Sequence, residues 1–295
     1  MAPDRATAIR AGLVGDGIQG SRSPAIHERE AAAQGLDLSY VRFDLAERPW
    51  RLTDVLAAAQ RDGFAGLNVT YPYKQAVIPL LDELSPDAER LGAVNTVVFK
   101  DGRRLGYNTD WIGFRESLER GLPGAAKTKV LQLGAGGAGA AVAYALLGAG
   151  VKQLSVFDVD QSRAAELAVK LGGVFGAERI AVARDMTFAM AEADGLVNAT
   201  PIGMARHPGT PVPVSLLRAR MWVADIVYVP LETELLSAAS RMGCATLDGG
   251  GMVVYQAAEA FRLFTGRPAD VERMRARFLK TIAEEGALSV EPGVE

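Results

Sequence analysis

The segment Val130-Leu-Gln-Leu-Gly134-Ala-Gly136-Gly-Ala-Gly139 decides the fold. Its first four residues read as a short buried strand, its glycines as a turn, and Ala138 to Leu147 as the helix that follows. Glycines spaced G-x-G-x-x-G at such a junction permit a tight turn. They also let backbone N–H groups approach a pyrophosphate at the positive end of the helix. Taken alone, the pattern also serves close strand–helix packing. Here a second strand, Gln153 to Phe157, ends on Asp158, an acid placed to accept hydrogen bonds from adenosine ribose hydroxyls. Strand, loop, helix, strand and acid in that order predict a Rossmann-type dinucleotide-binding unit. Gly134, Ala135, Gly136, Gly137, Ala138 and Asp158 are its expected cofactor contacts.

Further strands are expected at Gly195–Asn198 and Trp222–Val227, and a helix at Arg163–Leu171. Val130 to Val151 contains no charged residue and is long enough to cross a bilayer. Its dense glycines and small alanines favour strand, loop and helix instead. Upstream, Ala11–Gly15, Leu38–Asp44 and Gly66–Thr70 read as strands, alternating with helices at Ala25–Gln34 and Leu52–Gln60. That alternation implies a mostly parallel sheet. Gly121-Leu-Pro-Gly124 is the expected linker, so the reading is an α/β protein of two domains. Residues 1–120 form the first, 121–251 the Rossmann-type second, and C-terminal helices within 252–295 rejoin the first. Those helices are expected at Val253–Phe264 and Asp270–Glu285, with Glu291–Glu295 frayed.

A chain of 295 residues with 49% hydrophobic and 23% charged residues has the composition of a globular protein with a full core. A net charge of −3 argues against nucleic acid or an anionic membrane as the main partner. The single cysteine, Cys244, allows no intrachain disulfide, reads as a small buried hydrophobe and suits a reducing compartment. The start, Met1-Ala-Pro-Asp, lacks the apolar segment of a secretory signal, so a cytoplasmic location is expected. One cysteine and two histidines make a metal site an unlikely use of this chain, and none is expected. His27 reads as a helix-surface residue and His207 as a loop residue.

Three polar patches interrupt apolar, strand-like sequence: Asn68-Val-Thr-Tyr-Pro-Tyr-Lys74, Gly92-Ala-Val-Asn-Thr96 and Gly106-Tyr-Asn-Thr-Asp110. One lysine, one aspartate and several amides and hydroxyls are the means to hold a polyhydroxylated ligand and move a proton on it. Bland readings exist for each. A lysine after a strand is commonly a solvated charge, and Asp110 suits a helix N-cap ahead of Trp111–Leu118. Ser21 and Ser23 suit a cap before Pro24, and Asn198 suits a strand end.

These patches, with Ser21-Arg-Ser-Pro24, Gly134-Ala-Gly-Gly-Ala138, Asn198-Ala-Thr-Pro-Ile-Gly-Met204 and Tyr255-Gln256, resemble the shikimate/quinate dehydrogenases in family order. The resemblance implies reversible oxidation of a ring hydroxyl of shikimate or quinate to the 3-dehydro ketone. It implies a substrate domain followed by a Rossmann-type domain, and a small polyhydroxylated cyclic carboxylic acid as the partner. Carried over by position, Ser21 and Ser23 would bind the carboxylate. Thr70, Asn95 and Gln256 would bind ring hydroxyls, and Tyr228 would cover the substrate. Lys74 would be the acid/base group and Asp110 its partner. Thr200, Gly249 and Arg163 join the implied cofactor contacts. An ordinary lysine is a poor base at neutral pH unless burial lowers its pKa. A neighbouring Asp110 would raise it, which suits Asp110 to orienting the ammonium and binding a substrate hydroxyl. Oxidation of an aminoshikimate-type analogue, or a non-catalytic dinucleotide-binding regulator on the same fold, are the alternatives. The regulator predicts erosion of Lys74 or Asp110, and both are present. A monomer or homodimer is expected.

Cofactor choice turns on Asp158-Val-Asp160, where NADP-using members carry a sequence resembling Asn-Arg-Thr with a phosphate-clamping arginine. A 2′-phosphate about 4 Å from a carboxylate, at an effective dielectric near 20, is repelled by roughly 4 kcal/mol per unit charge pair. NAD is expected, and NADP disfavoured. The loop Asn198-Ala-Thr-Pro201 also departs from the family, with proline where serine is usual.

Overall fold

The computed structural model describes residues 8–288, so the expectation for residues 291–295 lies outside them. Contacts divide the chain into two compact units, residues 1–109 with 257–295, and residues 110–256.

The first unit contains β1 (Ile9–Gly15), α1 (Ser23–Ala33), β2 (Leu38–Asp44), α2 (Leu52–Arg61), β3 (Gly66–Val69), β4 (Glu83–Leu84), α3 (Pro86–Leu91), β5 (Thr96–Lys100) and β6 (Arg103–Tyr107). Its sheet runs β2-β1-β3-β5-β6-β4. β1 pairs in parallel with β2 and β3, while β5 is antiparallel to both β3 and β6. The sheet is therefore mixed, because β5 and β6 form a hairpin rather than a crossover unit. Its two-residue turn is Asp101-Gly102, both at positive φ (52° and 76°). Such a turn matches the twist of the flanking strands and explains why a non-glycine residue adopts this backbone there. Val55, Leu56 and Ala59 of α2 recur at helical spacing and are buried. They join Val14, Leu67 and Val97 in the core of this unit. Each such aliphatic side chain contributes about 1.5–3 kcal/mol on burial.

The second unit contains α4 (Asp110–Gly121), β7 (Lys129–Leu133), α5 (Gly137–Gly148), β8 (Gln153–Phe157), α6 (Gln161–Phe175), β9 (Ile180–Val182), α7 (Met186–Glu192), β10 (Gly195–Asn198), β11 (Trp222–Asp225), α8 (Glu234–Arg241) and β12 (Ala245–Leu247). α9 (Gly250–Thr265) crosses the division between the units, and α10 (Val271–Leu288) belongs to the first. The contact division falls at the start of α4 rather than at Gly121–Gly124, because α4 packs on α5. The sheet order is β12-β11-β10-β7-β8-β9, and every pairing is parallel. Counted from β7, this is the 3-2-1-4-5-6 order of a doubly wound dinucleotide fold, with the reversal at β7 and β10. The uncharged run from Val130 is split between β7 and α5, both buried. Among the described residues no helix is long and apolar enough to cross a membrane.

Candidate functional site

In the second unit, three glycines of the turn after β7 have three different physical reasons to be glycine. Gly134 has φ +94°, and a Cβ there would lie 2.6 Å from the Ala199 carbonyl oxygen. At Gly139 a Cβ would lie 2.3 Å from the Gly134 carbonyl oxygen, so only glycine lets the helix start this close to the strand. Around Gly136 a Cβ would meet nothing within 4 Å, which leaves the backbone open to a ligand. A tight turn, a bare backbone for the pyrophosphate and close helix packing are the three glycine roles of this motif. Gln132, buried on β7, holds the turn from beneath: its Nε2 donates to the carbonyl oxygens of Gly134 and Gly139, both at 2.8 Å.

Asp158 follows β8 and accepts from the backbone N–H of Ala135 at 2.7 Å and of Asp160 at 2.9 Å. The carboxylate is thereby fixed at the mouth of the turn. Arg163 stands on α6 and pairs with Asp160 at 3.3 Å. Its charge is thus already shared with an acid. Thr200 is held by Asn198, whose Oδ1 accepts from the Thr200 amide (3.0 Å) and hydroxyl (2.7 Å). Gly249 passes so close to the Ile226 carbonyl that a Cβ would lie 2.3 Å from its oxygen. Its N–H donates to Val227 O at 3.2 Å, beside Tyr228. Gln256 and Asp110 also lie in this unit. Gln256 Nε2 donates to Val253 O at 3.0 Å, and Asp110 is buried in the first turn of α4.

Asp225, at the end of β11, was not singled out by its sequence. It is 1% exposed and accepts from Asn198 Nδ2 (2.9 Å), Val227 N (3.0 Å) and Thr233 Oγ1 (2.8 Å). Burial pushes its carboxyl up to about 6, against the opposing pull of those hydrogen bonds.

In the first unit, strand ends bring the polar patches together. Lys74 O accepts from Val94 N at 2.8 Å, which sets the Thr70–Lys74 loop beside Asn95. Thr70 itself is tied to β1 through Val14 O at 3.0 Å. Asn95 is buried; its Oδ1 accepts from the Thr109 amide at 2.7 Å and its Nδ2 donates to Thr109 Oγ1 at 2.9 Å. Thr109 is the residue before Asp110, so this pair fixes the backbone leading into that acid. The network continues as Thr96 Oγ1 donates to Asn95 Oδ1 (3.0 Å), Asn68 Nδ2 to Thr96 Oγ1 (2.9 Å), and the Tyr40 hydroxyl to Asn68 Oδ1 (2.7 Å).

Ser21 and Ser23 lie together at the start of α1, their hydroxyls 3.3 Å apart, and Ser23 also bonds the Tyr40 phenol. Their loop is braced by Asp44, which accepts from Gly17 N (3.0 Å) and Ile18 N (2.9 Å). The Tyr73 hydroxyl donates to Asp16 at 2.8 Å, tying this loop to the one that carries Lys74. Thr96 and Thr109 lie in the polar patches read from the sequence, but Tyr40 and Asp44 were missed there. Their types are ordinary in strands and only their long-range partners reveal them.

His27 is not a surface residue. It is fully buried on α1, stacked on Tyr40 with centroids 4.9 Å apart and near Phe261 and Phe264. α9 supplies those two rings, which a reading of α1 alone cannot place. Neither ring nitrogen has a hydrogen-bond partner, and burial lowers its pKa to about 3. Cys244 is buried as expected, and burial raises its thiol pKa. Among the described residues no group of three His, Cys, Asp or Glu side chains gathers to hold a metal.

Comparison with known proteins gives a consistent family. Residues 13–97 match the shikimate dehydrogenase substrate binding domain, and residues 249–277 the shikimate 5'-dehydrogenase C-terminal domain. A shikimate dehydrogenase (NADP(+)) of Arthrobacter sp. is 52% identical over 96% of this chain and 98% of its own. A quinate/shikimate dehydrogenase (NAD(+)) of Corynebacterium efficiens is 53% identical over 92% and 98%. The structure of quinate dehydrogenase from Corynebacterium glutamicum in complex with NAD superposes with a TM-score of 0.90, at 51% identity over 92% of this chain and 99% of that one. The chain belongs to the shikimate/quinate dehydrogenase family.

Proposed function

We propose that the protein is an NAD-dependent quinate/shikimate dehydrogenase, with the first unit binding the acid and the second the dinucleotide. The observation that carries the reading is the buried network from Tyr40 to Thr109 at the strand ends that also carry Thr70 and Lys74. Buried amides and hydroxyls are costly unless paired, and here pairing fixes the side chains around one polar site. Ser21 and Ser23 hold the carboxylate, while Thr70, Asn95 and Gln256 hold ring hydroxyls and Tyr228 covers them.

Oxidising a secondary alcohol to a ketone requires the hydroxyl proton to leave as the hydride departs. Lys74 takes that proton, or returns it in the reverse direction, and Asp110 orients the lysine and accepts a substrate hydroxyl. Bound NAD supplies the hydride acceptor. The open backbone at Gly136 fits its pyrophosphate, with Gly134, Ala135, Gly137 and Ala138 completing the turn, Asp158 facing the ribose, and Thr200, Arg163 and Gly249 around it.

Relatives of nearly equal identity are named for NADP(+) and for NAD(+), so the choice rests on this chain's own residues. Asp158 and Asp160 follow β8 where this reading expects the adenosine ribose, so a 2′-phosphate there would meet carboxylates, and Arg163 is already paired with Asp160. That favours NAD. The test is kcat/KM for quinate and shikimate with each cofactor, followed by NADH absorbance. Turnover of neither acid overturns the activity, and a preference for NADP overturns the cofactor assignment.

A further inference from the structure

We infer that Asp225 is a positioning residue that holds the cofactor loop and the substrate-covering segment in register through one buried carboxylate. The inference rests on the functional reading above, which places Thr200 and Gly249 against the cofactor and Tyr228 against the acid. Asp225 touches none of the reacting groups. Its Oδ1 accepts from Asn198 Nδ2 at 2.9 Å, and Asn198 in turn fixes both the amide and hydroxyl of Thr200. Asn198 Nδ2 also donates to Ile202 O at 2.9 Å, so the whole turn from Asn198 to Ile202 is gathered on one amide. The same Asp225 Oδ1 accepts from Val227 N at 3.0 Å, which sets the backbone immediately before Tyr228. Val227 O then receives the Gly249 N–H. Three residues assigned to two different ligands thus hang on one side chain.

The far side of the carboxylate is equally committed. Thr233 Oγ1 donates to Asp225 Oδ2 at 2.8 Å while accepting from Leu236 N at 3.3 Å, where it caps α8. A helix N-terminus favours nearby negative charge, which helps to keep this carboxylate in place. Ile226 N donates to Asn198 O at 3.0 Å, so the two segments also meet through backbone. Asp225 is the partner that ties the Asn198 amide, with the Thr200–Ile202 turn gathered on it, to the segment bearing Val227. A carboxylate suits the task because charge-assisted acceptance from an amide and an N–H is stronger than a neutral contact.

The experiment compares Asp225→Ala, Asp225→Asn and Thr233→Val with wild type by kcat, KM for NAD, KM for the acid, and NADH affinity from fluorescence titration. Asp225→Ala is expected to raise both KM values and weaken NADH binding about tenfold, since buried partners lose their acceptor. Asp225→Asn restores most of this, because its amide oxygen still accepts from Asn198 and Val227. Thr233→Val, which removes only the hydroxyl that donates to Asp225 Oδ2, is expected to raise both KM values about threefold. Unchanged KM values in Asp225→Ala, with only a fall in Tm, would overturn the inference. Should that variant not fold, unchanged KM values and NADH affinity in Thr233→Val do the same. Wild-type protein that binds NADH but turns over neither acid refutes the activity instead, and NADH affinity alone then decides the role of Asp225.

Discussion

Two buried polar networks, one at strand ends of each unit, are built from different chemistry. In the first, Tyr40, Asn68, Thr96, Asn95 and Thr109 are all neutral, and the one buried base beside them, His27, is kept uncharged. In the second, Asn198, Thr200, Val227 and Thr233 converge on the carboxylate of Asp225. A neutral chain has a small desolvation cost and keeps its hydrogen bonds at any ordinary pH. A charged hub holds its partners more strongly, but its ionisation is opposed by burial. The comparison teaches that the Tyr40–Thr109 network is held together without a charge, whereas the Asp225 network depends on a carboxylate whose ionisation burial opposes.

The largest test of that contrast is His27. Its folded pKa near 3 lies far below the unfolded value of 6.5, so the folded state refuses the proton. Stability is then full above pH 6.5 and is lost as pH falls towards 3, by about 5 kcal/mol if the fold survives the whole window. His27→Leu should flatten this acid limb in denaturant titrations at pH 7, 5.5 and 4.5. An unchanged slope would mean that the imidazole finds a partner or water.

Next comes Lys74. Lys74→Met is expected to lower kcat by about 10²–10⁴-fold, the usual span for a lost acid/base group, while NADH affinity stays near wild type. Retained turnover would remove the lysine from the chemistry. Loss of NADH binding along with kcat would blur the division of labour between the units.

Asp225 provides the opposite pH limb. Its folded pKa of about 6 lies above the unfolded 3.8, so its contribution is present below pH 3.8 and is lost as pH rises through 6. The loss amounts to about 3 kcal/mol. Between pH 4 and 6 the two limbs oppose one another in the wild type. Asp225→Asn should leave the His27 limb standing alone, visible as a steeper acid loss. The smallest effect concerns cofactor choice. Asp158→Ala should relax discrimination against NADP by about tenfold or more in kcat/KM, equivalent to some 1.4 kcal/mol. An unchanged ratio would show that charge repulsion is not what excludes the 2′-phosphate.

Much of this molecule is legible one segment at a time. Gly134 and Gly139 mark the turn through a positive φ and a close approach that only glycine allows, and Gly136 through a bare backbone. Asp101-Gly102 is just as local, yet only the structure identified it, through positive φ at both residues, as the turn of the β5–β6 hairpin that makes the first sheet mixed. Period-two alternation in β2, helical spacing in α2 and the short buried runs of β1 and β3 likewise mark their elements. Thr70, Lys74 and Asn95 stand out because polar residues interrupt apolar strands.

Local sequence thus specified most of the strands and helices, though not β4, α3, the β5–β6 hairpin, β9, α7, α8 or β12, together with the dinucleotide turn and the residue types available for chemistry. These depend on backbone sterics and on periodicities spanning a few residues. Tertiary structure alone decided which polar groups are buried, and against what. His27 became a core residue because Phe261 and Phe264 arrive from the far end of the chain. Asp225 became a hub because parallel pairing sets Asn198 directly beside it. Gln132 became the clasp of the glycine turn because α5 returns Gly139 over β7. Burial and hydrogen-bond partners depend on how the chain is folded, even where the partners are as near as Gln132 and Gly139, and the residue types alone do not encode them.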